Sequence, residues 1–188
     1  MTYYEVEGTP ALFVDGKSVP DMSGDARFAK ERFDKLCAAV EKALAVEPGP
    51  RLGLKVGRDG DRVAIRAQVE GLKAPGEKVR LRLALVEEEV RYTGLNRLRL
   101  HQHVVRDLPG GAEGLELKRK SSTQLLTVSL ADVRKRIEEH LKQQAREQPF
   151  PSDERPLGLK GLKVVAFIQD DSTRQVLQSA QAGVPGPR

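Results

Sequence analysis

Tryptophan is absent, aromatic residues make up only 4% of the chain, and the single cysteine is Cys37. Thiol–disulfide exchange needs an attacking thiolate and a second sulfur to resolve the mixed disulfide, so one cysteine excludes both an internal disulfide and a Cys-x-x-Cys cycle within this sequence. The scarcity of aromatics argues against base-stacking platforms and aromatic carbohydrate sites. Apolar runs extend only a few residues, too short for a membrane span. No basic start followed by an apolar core opens the chain, so no signal peptide is read in it. An excess of one charge is also missing. The 32 basic residues face 27 acidic ones, and the resulting +5 is intermixed along the sequence, which favours solubility more than polyanion binding.

What remains is a chain of 188 residues, long enough for one ordinary domain or two small ones. Its character changes at Glu47-Pro48-Gly49-Pro50, where two prolines and a glycine disfavour helix and ladder alike. The expected organisation is an N-terminal segment over residues 1–47 and a β-rich segment over 51–184. In the first, Ala11-Leu12-Phe13-Val14 runs into Asp15-Gly16 and then Lys17-Ser18-Val19. Asp-Gly supplies the positive φ values of a type I′ turn, so a tight hairpin is expected. Ser23 and Asp25 offer caps for a helix whose apolar face carries Phe33, Leu36, Cys37, Val40 and Leu44 at near-3.6 spacing. One hairpin and one helix of roughly 45 residues seldom hold a core of their own. Apolar surface on this segment therefore needs a cover from elsewhere.

The second segment alternates. Leu52, Leu54 and Val56 are followed by Val63, Ile65, Ala67 and Val69, then by Val79, Leu81, Leu83 and Leu85, with polar residues between. Further strands are expected at Leu98–Val105, Leu115–Lys118, Gln124–Val128, Lys163–Gln169 and Val176–Ala182. The fold class read from this is mainly β with some α: an immunoglobulin-like or fibronectin-like β-sandwich preceded by the hairpin and helix. An inserted helix at about 129–147 is announced by Ser129 with Asp132 three residues on and by the stripe Leu130, Val133, Ile137 and Leu141.

Candidate chemistry is sparse. His101 and His103 stand two apart on an expected strand and leave the same face, a spacing that suits zinc or copper if His140, Glu87 or Glu89 supplies a third ligand. Partly exposed structural histidines are the competing reading. Glu87-Glu88-Glu89 reads as a solvated strand end, Asp170 and Asp171 as turn residues, and Cys37 as a small core residue. A basic stripe of Arg62, Arg66, Lys78, Arg80, Arg82, Arg91, Arg97 and Arg99 is interrupted by acidic residues and carries no nucleic-acid motif, which argues against that partner. No catalytic set and no cofactor is expected.

The string Val6-Glu7-Gly8-Thr9-Pro10-Ala11-Leu12-Phe13-Val14-Asp15-Gly16-Lys17 resembles the cis-proline region of thioredoxin-like proteins, where Gly-Thr-Pro precedes the last hairpin and the closing helix. The resemblance implies a cis Thr9-Pro10 bond, a form taken by only ~5% of X-Pro bonds in folded proteins. It also implies that Thr9 and Pro10 face an extended peptide substrate. The family's Cys-x-x-Cys and earlier elements would lie before Met1, and Cys37 does not match the catalytic position. His101-Gln-His-Val-Val-Arg106, Pro109-Gly-Gly111, Val164-Val-Ala-Phe-Ile-Gln-Asp-Asp171 and Val176-Leu-Gln-Ser-Ala-Gln181 resemble the β-rich C-terminal module of bacterial proteins related to the Omp28-type family. That resemblance implies an extracytoplasmic setting.

The functional expectation is a non-enzymatic interaction or accessory module of a thioredoxin-like protein, engaging a protein partner or a second copy through its incomplete N-terminal segment. The alternative is the C-terminal part of a thiol–disulfide oxidoreductase whose cysteine pair lies before Met1.

Overall fold

The computed structural model describes residues 4, 6, 11–22, 25–47, 49–93, 98–148, 150 and 157–186. The chain opens with β1 (Leu12–Val14) and β2 (Lys17–Val19), an antiparallel pair in which Val14 sits opposite Lys17. Asp15 and Gly16 form the two-residue turn with φ of +48° and +78°, the left-handed pair that a type I′ connection requires. Asp25 then caps a 3-10 turn by accepting a hydrogen bond from the Arg27 amide at 2.8 Å, and α1 follows over Ala29–Leu44. Ser23, the other expected cap, lies outside the described residues.

Among the described residues eight further strands and one helix follow: β3 (Arg51–Asp59), β4 (Arg62–Glu70), β5 (Gly76–Arg91), β6 (Leu100–Asp107), β7 (Leu115–Leu117), β8 (Ser122–Ser129), α2 (Leu130–Glu147), β9 (Leu162–Asp170) and β10 (Val176–Gly183). One sheet runs β3-β4-β8. The other runs β10-β9-β5-β6, with β7 pairing the first part of β5. All pairings are antiparallel. With the eight strands counted from β3, the first, second and sixth oppose the third, seventh and eighth, the partition of an immunoglobulin-like sandwich.

The inward positions of β4, β5 and β9 are those the alternation singled out. Val63, Ile65, Ala67 and Val69 face Leu81, Leu83 and Leu85 together with Val164, Ala166 and Ile168, each at most 2% exposed. Each larger side chain of this set contributes about 1.5–3 kcal/mol by leaving water. The helix α2 bridges from one sheet to the other. Ser129 caps it by accepting from the Asp132 amide at 3.2 Å, and the Leu130 amide donates to the Asp61 carbonyl at 2.8 Å. Leu130 and Val133 are buried; Ile137 and Leu141 are half-buried, because the helix leaves the sandwich as it proceeds. No helix among the described residues is long and apolar enough to cross a membrane.

The hairpin meets the sandwich at the turn between β9 and β10. The Val176 amide donates to the Asp15 carbonyl at 3.1 Å. A Cβ added at Gly16 would overlap the Arg174 carbonyl oxygen, and one added at Gly49 would lie 2.5 Å from the Leu177 carbonyl oxygen. Only glycine permits either approach. Gln169, 1% exposed, completes the joint with a 2.7 Å bond from Nε2 to the Arg174 carbonyl. Beside this joint lies a cleft of about 440 Å³ bounded by Ala43, Val46, Leu72 and Leu177 among others.

Candidate interaction surface

Helix α1 contains no buried residue. Its apolar positions fall on two neighbouring stripes. Leu36, Ala39 and Ala43 occupy one and are half-buried; Ala39 and Ala43 border a cavity of about 200 Å³ shared with Val14, Ser18 and Val19 of the hairpin. Phe33, Cys37, Val40 and Leu44 recur at i, i+4, i+7 and i+11 and occupy the other. Phe33 is 63% exposed, Leu44 79% and Val40 39%, and Phe28 and Val46 extend the patch beyond the helix ends.

The remaining face is polar and internally paired. Lys30 meets Asp34 at 2.7 Å and Lys35 meets Glu31 at 2.9 Å, both four residues apart. The Glu31 hydrogen bond, with its charge, holds the Lys35 ammonium above its ordinary pKa. Asp25 is held below the usual carboxylate value by the Arg27 amide and then by its side chain. These are solvent-exposed pairs, screened by water, that add little to stability.

The expected cover for the helix is therefore half present. The hairpin takes the narrow alanine-bearing stripe, and among the described residues nothing packs over Phe33 and Leu44. Cys37 is free and half-buried, not the core residue expected of it, because its stripe is the uncovered one. Thr9 and Pro10 lie outside the described residues. Within them, Tyr4 stacks on Phe13 of β1 with ring centroids 4.6 Å apart, and the Gln169 side chain donates to its hydroxyl at 2.5 Å.

His101 and His103 are both in β6, but they do not work on one surface. His103 has a left-handed backbone, φ +54°, which interrupts the strict alternation of the strand. As a result His101 lines one cavity together with Val104 and Arg106, and its Nε2 lies 3.0 Å from the Tyr92 carbonyl. His103 is exposed, and its charge is one of the influences that lower the pKa of Glu88; the largest is the hydrogen bond from Lys163. His140 is exposed on α2. Among the described residues no three His, Cys, Asp or Glu side chains form a metal-holding group.

The Glu87–Glu89 run corrects another expectation. Glu87 is buried, at 4% exposure. Its Oε2 accepts from Arg106 Nε and Nη2, both at 2.7 Å, and its Oε1 accepts from the Lys160 amide at 2.9 Å. Strand β5 continues through Arg91, so the run is strand interior and only Glu88 and Glu89 are solvated. A bulge on β6, between the pairs Leu85–Asp107 and Val86–Val105, lies where Arg106 is; nothing local in the sequence announces this pairing. The basic stripe is divided as well. Arg62 and Arg66 are on β4, in one sheet, whereas Arg80 and Arg82 are on β5, in the other, and pair with Asp171.

No protein-family model and no curated protein matches the chain, so the Omp28-type resemblance rests on the quoted residues alone. Among solved structures, HBP35 of Porphyromonas gingivalis superimposes with a TM-score of 0.65 at 15% identity, over 97% of this chain and 55% of that one. An immunoglobulin-like protein of Pseudomonas aeruginosa aligns over 74% of this chain and 94% of its own with a TM-score of 0.26 and 14% identity. At such identities the likeness to HBP35 concerns the fold: the whole course of this chain, hairpin, helix and sandwich, has a counterpart in a protein of which it spans about half.

Proposed function

We propose that this chain is a non-enzymatic interaction or accessory module of a thioredoxin-like protein, and that it engages its protein partner through α1. The observation that carries the reading is the uncovered stripe of Phe33, Cys37, Val40 and Leu44 beside a two-stranded hairpin. Fully burying one side chain the size of Phe or Leu contributes about 1.5–3 kcal/mol, so a partner seated on this stripe gains a stable apolar contact, and the short strand edges of β1 and β2 offer backbone pairing beside it. The thioredoxin-like part of the reading draws on Gly8-Thr9-Pro10 and on the order hairpin, then helix. A role without catalysis draws on the single cysteine, which leaves no dithiol pair within this sequence.

The test is sedimentation of the purified chain over a range of concentrations, beside the variant carrying Phe33→Ser and Leu44→Ser. Self-association that the double substitution abolishes supports α1 as the contact surface. A monomer at every concentration that also fails to bind an apolar-surface dye overturns it.

A second reading is supported by the extent of the HBP35 likeness, 55% of that chain. In it, this chain is the C-terminal part of a thiol–disulfide oxidoreductase, Pro10 stands beside the substrate, and α1 packs on the portion that carries the cysteines. A Cys-x-x-Cys encoded in frame before Met1 would favour this version over the first.

A further inference from the structure

The outer face of the sheet β3-β4-β8 carries a charge arrangement that the fold does not need. Lys55 of β3 stands directly opposite Arg66 of β4, and Arg66 stands opposite Leu125 of β8. All three are exposed, Leu125 to 74%. Like charges facing each other across a strand pair repel, and among the described residues neither cation has an ion-pair or hydrogen-bond partner. The strand carboxylates of this face are Asp59 and Glu70, each four residues along its strand from the pair. That is about 13 Å, beyond the screening length of about 8 Å at physiological ionic strength. Arg62 and Arg51 stand opposite these two carboxylates, so Lys55 and Arg66 remain as the unbalanced centre.

The next row of the face is low. Gly57, Ala64 and Thr127 lie opposite one another and form a shallow trough beside the cationic row. A glycine inside a strand marks a bulge, a tight bend or a place where a ligand or another backbone comes close. Gly57 sits in unbroken register without a positive φ, and a Cβ built on it meets nothing within 4 Å. Its bareness serves no contact inside this chain and leaves room for a backbone laid against it.

Three occupants fit poorly. A nucleic-acid strand needs a track of cations matched to successive phosphates, and here the unbalanced pair stands alone. A membrane surface would press Asp59 and Glu70 against anionic headgroups, with one leucine for insertion. A second copy meeting face to face would bring like charges together. An extended acidic segment fits. Side chains leaving one side of it recur every two residues, about 7 Å apart. The midpoint between Lys55 and Arg66 lies one and a half strand spacings from Leu125, again about 7 Å.

We infer that the outer face of β3-β4-β8 binds an extended acidic segment of a partner protein. The segment lies across the strands in the trough of Gly57, Ala64 and Thr127, with a carboxylate on Lys55 and Arg66 and, two residues away, an aliphatic side chain on Leu125. The face shares no residue with α1 and is independent of the role proposed for that helix.

The probe is the peptide Gly-Ser-Glu-Ser-Leu-Ser-Gly, capped at both ends and titrated to millimolar concentration into the full chain while backbone amides are followed by NMR. Saturable shifts centred on Lys55, Arg66 and Leu125 are expected. The peptide with glutamine in place of glutamate should bind about tenfold more weakly, the loss of one charge-assisted contact. Lys55→Gln with Arg66→Gln should weaken the parent peptide to that same level and leave the glutamine peptide unaffected. The double variant keeps the fold, since it removes a repulsion between exposed residues. Gly57→Val, which fills the trough with a good strand former and leaves both charges, should also weaken binding about tenfold. The absence of a saturable shift overturns the inference, as does binding that survives the double substitution. Tighter binding of phosphatidylserine vesicles or of a single-stranded oligonucleotide to the same residues gives the face to that occupant and overturns it too.

Discussion

The hairpin–helix segment and the sandwich are written in the same physical language, with opposite outcomes. In the sandwich each apolar face meets another: β4 looks onto β5 and β9, and all ten inward side chains named above are at most 2% exposed. In the N-terminal segment the single buried apolar side chain among the described residues is Val19, and α1 lays out sixteen residues without burying one. Periodicity states which side of an element must be covered. It does not state whether the cover is in the same sequence.

The sharpest way to break this contrast is to attack the sandwich at its buried charge pair. Arg106→Met takes the guanidinium away from the buried Glu87 side chain, which keeps only the Lys160 amide as a partner, and should cost about 3–5 kcal/mol of unfolding free energy, read by chemical denaturation. A loss below about 1 kcal/mol would mean that water reaches Glu87 and that the sandwich is less closed than described. The joint between the regions comes next. Gly16→Ala places a side chain on the Arg174 carbonyl and strains a residue at φ +78°, for a cost of about 1 kcal/mol or more. Hydrogen exchange at the Val176 amide, which donates to Asp15, should accelerate while amides of β4 and β9 keep their protection. If β4 and β9 loosen together with Val176, the two regions unfold as one unit. The smallest effect belongs to α1. Phe33→Ser with Leu44→Ser should leave the stability of the dilute chain within about 0.5 kcal/mol of its starting value, as for substitutions of exposed residues. A loss above about 2 kcal/mol would reveal that the stripe is already covered.

Much of the fold was legible. Asp15-Gly16 announced its turn, Ser129 its cap, and the alternation of β4 and β5 its inward face, since each depends on residues adjacent in sequence. The two-stripe nature of α1 was not, because Leu36, Ala39 and Ala43 join Phe33, Cys37, Val40 and Leu44 into one broad apolar face until the hairpin divides it. The surroundings of His101 and Glu87 were illegible for a different reason. A left-handed residue at His103 and a bulge at Arg106 interrupt the pleat of β6, and no residue next to either in the sequence marks it. Strand periodicity assumes that no such reset occurs.

The close approaches at Gly16 and Gly49 carry a consequence for how this molecule can be varied. At Gly16 the hairpin rests on the β9–β10 turn through main-chain atoms, and at Gly49 the linker before β3 rests on a β10 carbonyl in the same way. Gln169 is the side chain that joins these main-chain contacts, through its bonds to the Arg174 carbonyl and the Tyr4 hydroxyl. Residues beside these contacts can be exchanged while the main-chain approaches persist, and a partner gripping α1 would bear on the strand pair β9–β10 through contacts whose tolerance is the width of one missing methyl group.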